Sequence, residues 1–212
     1  MHTDAVQAIG KLPVDVRTTP VDLLSISGHK LHAPKGIGAL YIRKGTKLTP
    51  FMRGGHQENG RRGGTENVPY IAGLGKACEL ARASLASGDS TIARLRDTLE
   101  RGILETCPDT RVNGAKAERL FNTSSISFEF IEGEAILYHL SDLGIAASSG
   151  SACASGSLEP SHVIRAMGVP FTAAHGTVRF SLSRYTTDDD IAYTLSHMPD
   201  IVNRLRLLSP FV

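Results

Sequence analysis

No apolar stretch in the chain approaches the roughly 20 residues that a membrane-spanning helix needs. A transmembrane helix is therefore not expected. The first residues, MHTDAVQAIGK, lack both the basic region and the apolar run of a secretory signal, so the expected compartment is the cytoplasm. Charge of one sign is also scarce: 23 Lys and Arg against 21 Asp and Glu give a formal net charge of +2. Without a basic run or a strong imbalance, neither nucleic acid nor an anionic membrane is the expected partner. Small molecules and other proteins are. Cysteine is limited to Cys78, Cys107 and Cys153, an odd number without metal-ligand spacing, which suits a reducing compartment better than a disulfide framework. Internal repeats and low-complexity segments are missing too. What is there is 212 residues with 41% hydrophobic and 21% charged side chains, an ordinary globular composition sufficient for one large domain or two small ones.

Apolar residues alternate between strand-like and helix-like patterns. Residues 4–10, DAVQAIG, read as a helix already under way, with no strand before it and only His2, Thr3 and Asp4 to cap it. The chain is therefore expected to begin in mid-domain. Strands are expected at about 21–27 and 37–43, joined by a loop carrying His29 and Lys30 and followed by a Gly- and Arg-rich loop, RGGHQENGRRGGTEN. A helix from Val68 to Ala86 closes this part. SGDS, residues 87–90, breaks one helical pattern and caps the next, TIARLRDTLERGILE, which places a boundary between domains 1–86 and 87–212. The remainder predicts a strand at 123–130, a helix from Glu132 to Leu143 and a strand IAAS at 145–148. A small-residue loop, a short helix after Pro160, a strand TVRFSL and a helix from Thr187 to Leu207 follow. The alternation implies an α/β or α+β fold.

Several residue groups carry possible chemistry. Lys30 follows a core strand in SGHK, with Ser27 and His29 beside it. A Schiff-base lysine needs an amine able to lose its proton, an orienting neighbour and a fixed position against a carbonyl, and this tetrapeptide offers them. The plain alternative is a solvated surface lysine. Asp4 and Gln7 lie about one helical turn apart, on one face of the expected helix, where they would serve a pyridine nitrogen and a ring hydroxyl; otherwise they are a capping Asp and a solvated Gln. GRRGGTEN, Gly60 to Asn67, gathers backbone amides, two arginines and a hydroxyl suited to a phosphate, or is simply a turn. Cys153 sits in SSGSACASGSLEP among residues with little to pack, which suggests an accessible thiol on a loop. Cys78 and Cys107, with apolar neighbours, read as structural. Arg179, a lone cation in TVRFSL, is either a fork for a ligand carboxylate or one half of a structural salt bridge.

Taken in order, HTDAVQAIGK, SGHKLHAPKGIGALY, RGGHQENGRRGGTEN, SSGSACASGSLEPSHVIRAMG and HGTVRFSLSRYTT resemble the C-terminal half of a NifS/IscS-type cysteine desulfurase, closest to the NifS branch of nitrogen fixation. The resemblance implies the C-terminal part of the large domain of a pyridoxal-phosphate enzyme of fold type I, followed by a small α/β domain. It implies pyridoxal 5'-phosphate as cofactor, with Lys30 as its Schiff-base lysine, Asp4 on the pyridine nitrogen, Gln7 on the ring hydroxyl, and Ser27 and His29 on the phosphate. Thr65 would reach the phosphate of the neighbouring subunit's cofactor, so a homodimer is implied. Arg179 would clamp the carboxylate of L-cysteine, and Cys153 would take its sulfur as a persulfide, releasing L-alanine. An iron–sulfur scaffold protein would be the acceptor, with Cys153 a transient iron–sulfur ligand through its persulfide. The N-terminal half of such enzymes has no counterpart in this chain, so residues 1–86 are expected to expose apolar edges. Two other readings stay open: a non-enzymatic fragment that binds a partner through the Cys153 loop, and another reaction on the same cofactor, such as an aminotransferase or selenocysteine lyase.

Overall fold

The computed structural model describes residues 1–88, 90–149 and 160–210. It divides into two compact units, Met1–Asp89 and Ser90–Val212.

The first unit is built on a three-stranded sheet in the order β1 (His2–Asp4), β2 (Leu23–Ser27), β3 (Gly38–Ile42). β1 runs parallel to β2, with Asp4 opposite Ser25, and β3 returns antiparallel, with Gly38 opposite Ser27. Helix α1 (Val68–Ala86) starts with Pro69 in its first turn and with the Asn67 side chain accepting the Tyr70 N–H at 3.3 Å, a start that satisfies one orphan amide. Its buried residues, Leu74, Ala77 and Ala81, recur at helical spacing and pack on Leu31. A second small cluster, Ala5, Val21 and Leu24, lies against the sheet.

The second unit carries a four-stranded antiparallel sheet, β4 (Thr110–Val112), β5 (Thr123–Phe128), β7 (Thr177–Ser181) and β6 (Ser148–Ser149) in that spatial order. One face presents Ile126, Phe128, Val178 and Phe180 to helices α2 (Thr91–Thr106), α3 (Gly133–Asp142) and α6 (Asp188–Leu207). Leu95, Leu99 and Ile103 of α2, spaced by four, complete a core with Ile136, Leu140, Met198 and Val202. Two short helices, α4 (His162–Ala166) and α5 (Phe171–Ala174), precede β7. Among the described residues no helix is long and apolar enough to cross a membrane.

Several elements differ from the sequence-based expectation. Residues 4–10 are not a helix: β1 ends at Asp4, the Ala5 amide bonds Ser25, and consecutive turns carry the chain to Gly10, whose φ of +75° ends any helical course. Parallel pairing with a strand some 20 residues away outweighs the local pattern, and Asp4 and Gln7 do not share a helical face. Ser90 begins α2 without a side-chain cap bond. The strand expected at 145–148 is reduced to Ser148–Ser149, and β5 stops at Phe128, two residues before Phe130 takes a left-handed φ of 67°. β4 and α5 were not expected at all.

Candidate active site

β1 and β2 point the same way, so their carboxyl ends open together at one edge of the sheet, where open α/β sheets place their ligands. Asp4 closes β1. Its Oδ1 accepts the Val6 N–H at 2.8 Å, a local turn that lifts the chain off the strand and presents Gln7, exposed, immediately after. The carbonyl of Gln7 accepts a hydrogen bond from Lys11 Nζ at 2.9 Å.

β2 runs directly into a short 3-10 turn, Gly28–Leu31. Gly28 donates its amide to the Ile37 carbonyl at 2.8 Å, and a Cβ placed on it would lie 2.9 Å from that same oxygen, so only glycine fits. Gly38 mirrors this on β3, where a Cβ would fall 2.6 Å from the Ile26 carbonyl. His32 ends the turn in the left-handed region at φ 66°. Lys30 is therefore carried by a tight, strand-anchored turn rather than a loop, half-buried, with Leu31 rooted in the core beneath it. Ser27 Oγ and His29 Nδ1 are 2.9 Å apart. The hydroxyl, the imidazole and the amine thus stand within one turn, next to the Asp4–Gln7 turn at the same sheet end.

Thr65 lies on the exposed Gly- and Arg-rich loop of the same unit, and its hydroxyl has no hydrogen-bond partner among the described residues. That loop is shaped by the Gly63 amide on the Met52 carbonyl at 2.8 Å, the Gly64 amide on Gln57 Oε1 at 3.2 Å, and left-handed backbone at Glu58 and Asn59. Asn67, the last residue of the GRRGGTEN motif, is spent on capping α1.

Arg179 belongs to the second unit. It lies on β7 opposite Ser125 of β5 and Ser148 of β6, and alternation puts it on the polar sheet face, away from Val178 and Phe180. Asn113 Nδ2 donates on that face to Ser125 Oγ at 3.2 Å and Ser127 Oγ at 2.8 Å, and the Ser127 and Thr177 hydroxyls are 2.7 Å apart. Arg179 itself makes no ion pair among the described residues, and its Nε is buried without a partner, a donor left for something else to satisfy. The structural salt bridge weighed for it does not occur among the described residues. Cys153 and its loop lie outside the described residues. Cys107 is part of the second unit's core, where burial pushes its thiol up from the ordinary range, and Cys78 packs against the first unit's small cluster. No group of three or more His, Cys, Asp or Glu side chains able to hold a metal occurs among the described residues.

The fold and these turns define an α/β protein of the pyridoxal-phosphate fold-type-I kind. The sequence profile described as Aminotransferase class-V matches residues 1–193, and the chain belongs to that family. It is 60% identical over 210 residues to a cysteine desulfurase of Gluconacetobacter diazotrophicus, and 58% identical over 210 residues to the cysteine desulfurase NifS of Azotobacter vinelandii. Each match covers 99% of this chain and 52% of the relative. Among solved structures, a NifS-like protein superposes with a TM-score of 0.84 at 37% identity, covering 96% of this chain and 52% of the other. A NifS-like protein from Rickettsia africae superposes with a TM-score of 0.85 at 32% identity, covering 95% and 53%. The chain spans about half the length of the curated relatives it matches.

Proposed function

We propose that this chain carries the lysine-bearing part of a pyridoxal-phosphate-dependent cysteine desulfurase, the reaction named for its relatives. The observation that carries the reading is the meeting of the Asp4–Gln7 turn and the Ser27–Lys30 turn at the carboxyl ends of two parallel strands. The donor set suits the cofactor: an amine for its aldehyde, a hydroxyl and an imidazole for its phosphate, and a carboxylate for its ring nitrogen. Bound there, pyridoxal phosphate supplies an electron sink for the carbon next to the substrate's amine.

The chain's own residues do the rest. Lys30 Nζ anchors the cofactor and moves the substrate's α-proton, for which the strand-anchored turn fixes its reach. Asp4 keeps a proton on the ring nitrogen, Gln7 orients the ring hydroxyl, and Ser27 and His29 hold the phosphate. Thr65, exposed on its loop, contributes to the phosphate site of a second subunit in a homodimer. The orphaned Arg179 Nε and its guanidinium fork take the carboxylate of L-cysteine. The Cys153 thiolate attacks the substrate sulfur; the carbon–sulfur bond breaks, L-alanine leaves after protonation, and Cys153 keeps the sulfur as a persulfide. An iron–sulfur scaffold protein, in the cytoplasm and in a nitrogen-fixing context, is the acceptor, with Cys153 touching iron only transiently through that persulfide.

The test is cofactor loading. Pyridoxal phosphate added to the purified chain is expected to give a visible absorbance band that Lys30→Ala abolishes and L-cysteine bleaches. Cys153→Ala is expected to keep the band and lose persulfide formation; persulfide-independent transamination would instead point to another class-V reaction. A chain that shows no Lys30-dependent band overturns the reading for this polypeptide. The second unit's continuous core favours one further reading in that case, a folded module that binds a partner without catalysis.

A further inference from the structure

One cross-strand row of the second unit's sheet consists of small neutral side chains with a single charge among them. Asn113, directly after β4, donates its backbone amide to the Ser125 carbonyl of β5 at 2.8 Å. Ser125 stands opposite Arg179 of β7, and Arg179 opposite Ser148 of β6. Residues paired in this way share a sheet face, with their Cβ atoms about 5 Å apart. Asn113 therefore reaches Arg179 through one serine. Both hydrogens of its side-chain amide are spent on that face, on Ser125 Oγ at 3.2 Å and Ser127 Oγ at 2.8 Å. The Ser127 hydroxyl is in turn 2.7 Å from that of Thr177, two residues before Arg179 on β7. Glu129, the acid that follows β5, is taken by Arg111 at 2.9 Å and by the Thr172 hydroxyl at 3.1 Å. Among the described residues no carboxylate pairs with Arg179. Asn113 Oδ1, like Arg179 Nε, is buried without a partner. An unmet buried amide oxygen is unfavourable, so stability alone does not account for an asparagine here.

We infer that Asn113 is a positioning residue for Arg179. By pinning Ser125 and Ser127 it makes a neutral floor beside the guanidinium, which steadies the side chain without cancelling its charge. The inference deepens the reading of Arg179 as the fork for the substrate carboxylate, and rests on it. An acid in the same row would hold Arg179 more firmly, but it would occupy the donors that a ligand carboxylate needs.

The experiment follows the Nε–H resonance of Arg179 by nitrogen-15 NMR in the purified full chain, assigned by its loss in Arg179→Lys, while acetate is added. Acetate is expected to shift it in the wild type. Asn113→Ala is expected to weaken that response about fivefold. Ser125→Asp, which sets a carboxylate directly opposite Arg179, is expected to keep the resonance sharp and weaken acetate at least about tenfold. Asn122→Ala is the control: Asn122 is also buried and ties strands of the same sheet, its Nδ2 on the Leu182 carbonyl at 3.0 Å, but it lies outside this row. It is expected to lower the thermal midpoint as Asn113→Ala does and to leave acetate affinity unchanged. Wild-type acetate affinity in Asn113→Ala or in Ser125→Asp overturns the inference, as does an equal loss in Asn122→Ala. If Asn113→Ala does not fold, Ser125→Asp decides. A response at Arg179 that depends on Asn113, without any Lys30-dependent band, would keep this inference while overturning the desulfurase reading. An intact band with no effect of Asn113 would do the reverse.

Discussion

The two units solve the problem of burying apolar surface to different degrees. In the second, a single cluster runs from α2 through the sheet to α3 and α6, with Ile103, Ile126, Phe128, Ile136, Leu140, Val178, Met198 and Val202 at 0% exposure. In the first, the buried residues fall into two separate groups of small or medium side chains around Leu31 and Leu24. Phe51 is 95% exposed there, and Leu40, Met52, Val68, Ile71 and Leu80 also face solvent. Both outer strands of its sheet have an open edge, and α1 buries only three of its 19 residues. Patches of this kind mark surfaces meant to be covered. The difference teaches that the candidate chemistry of Lys30 rests on the less self-sufficient scaffold, while Arg179 rests on the more complete one.

The comparison can be broken at its strongest point first. Phe128→Ala opens a cavity under a fully enclosed sheet face and is expected to cost about 3–5 kcal/mol, read as a lowered urea midpoint of the second unit. Leu31→Ala in the first unit is expected to cost less, about 2 kcal/mol, because the open surroundings of its small cluster can collapse into the gap. Equal losses would mean that the first unit is as tightly packed as the second. Next in size, Thr187→Ala removes the α6 capping box, in which Thr187 and Asp190 bond each other's amides, and should cost about 1 kcal/mol.

Smaller still is the response to acid. The amide and hydroxyl of Thr187 hold the Asp190 carboxyl below its ordinary value of 3.8, and Arg94 does the same for Asp188. A carboxyl depressed in the folded state stabilises above its unfolded value and loses that contribution as pH falls through the folded one. Helicity of α6 should therefore decline below about pH 4, less steeply in Asp190→Asn, as measured by circular dichroism. The smallest effect on stability is expected from Phe51→Ser, within about 0.5 kcal/mol. Its signature is reduced self-association in sedimentation or light scattering.

Much of this was legible in the sequence because it is local. α1 begins and ends where its Asn-Val-Pro start and Ser-Gly stop place it, and α2 and α6 follow an apolar period that packs directly into a core. SGHK stood out because a strand delivers it. β1 was not legible: three residues, HTD, become a strand only through pairing with Leu23–Ser25, and DAVQAIG on its own looks helical. For the same reason Asp4 and Gln7 were placed on one face of a helix that the chain does not form. Arg179's isolation in an apolar strand was visible, but its unsatisfied Nε could be seen only once Ser125 and Ser148 were placed on either side.

Gly28, just after β2, and Gly38, at the start of β3, have a bearing on how this site can vary. Gly28 lies so close to the Ile37 carbonyl, and Gly38 to the Ile26 carbonyl, that neither position admits a methyl group, while His29 is exposed and Lys30 half-buried. Change is closed at the hinge points of the turn and open at its reactive positions. A library randomised across Gly28–Gly38 should therefore return folded proteins with many residues at 29 and 30 and almost none but glycine at 28 and 38, making the frame heritable and the chemistry adjustable.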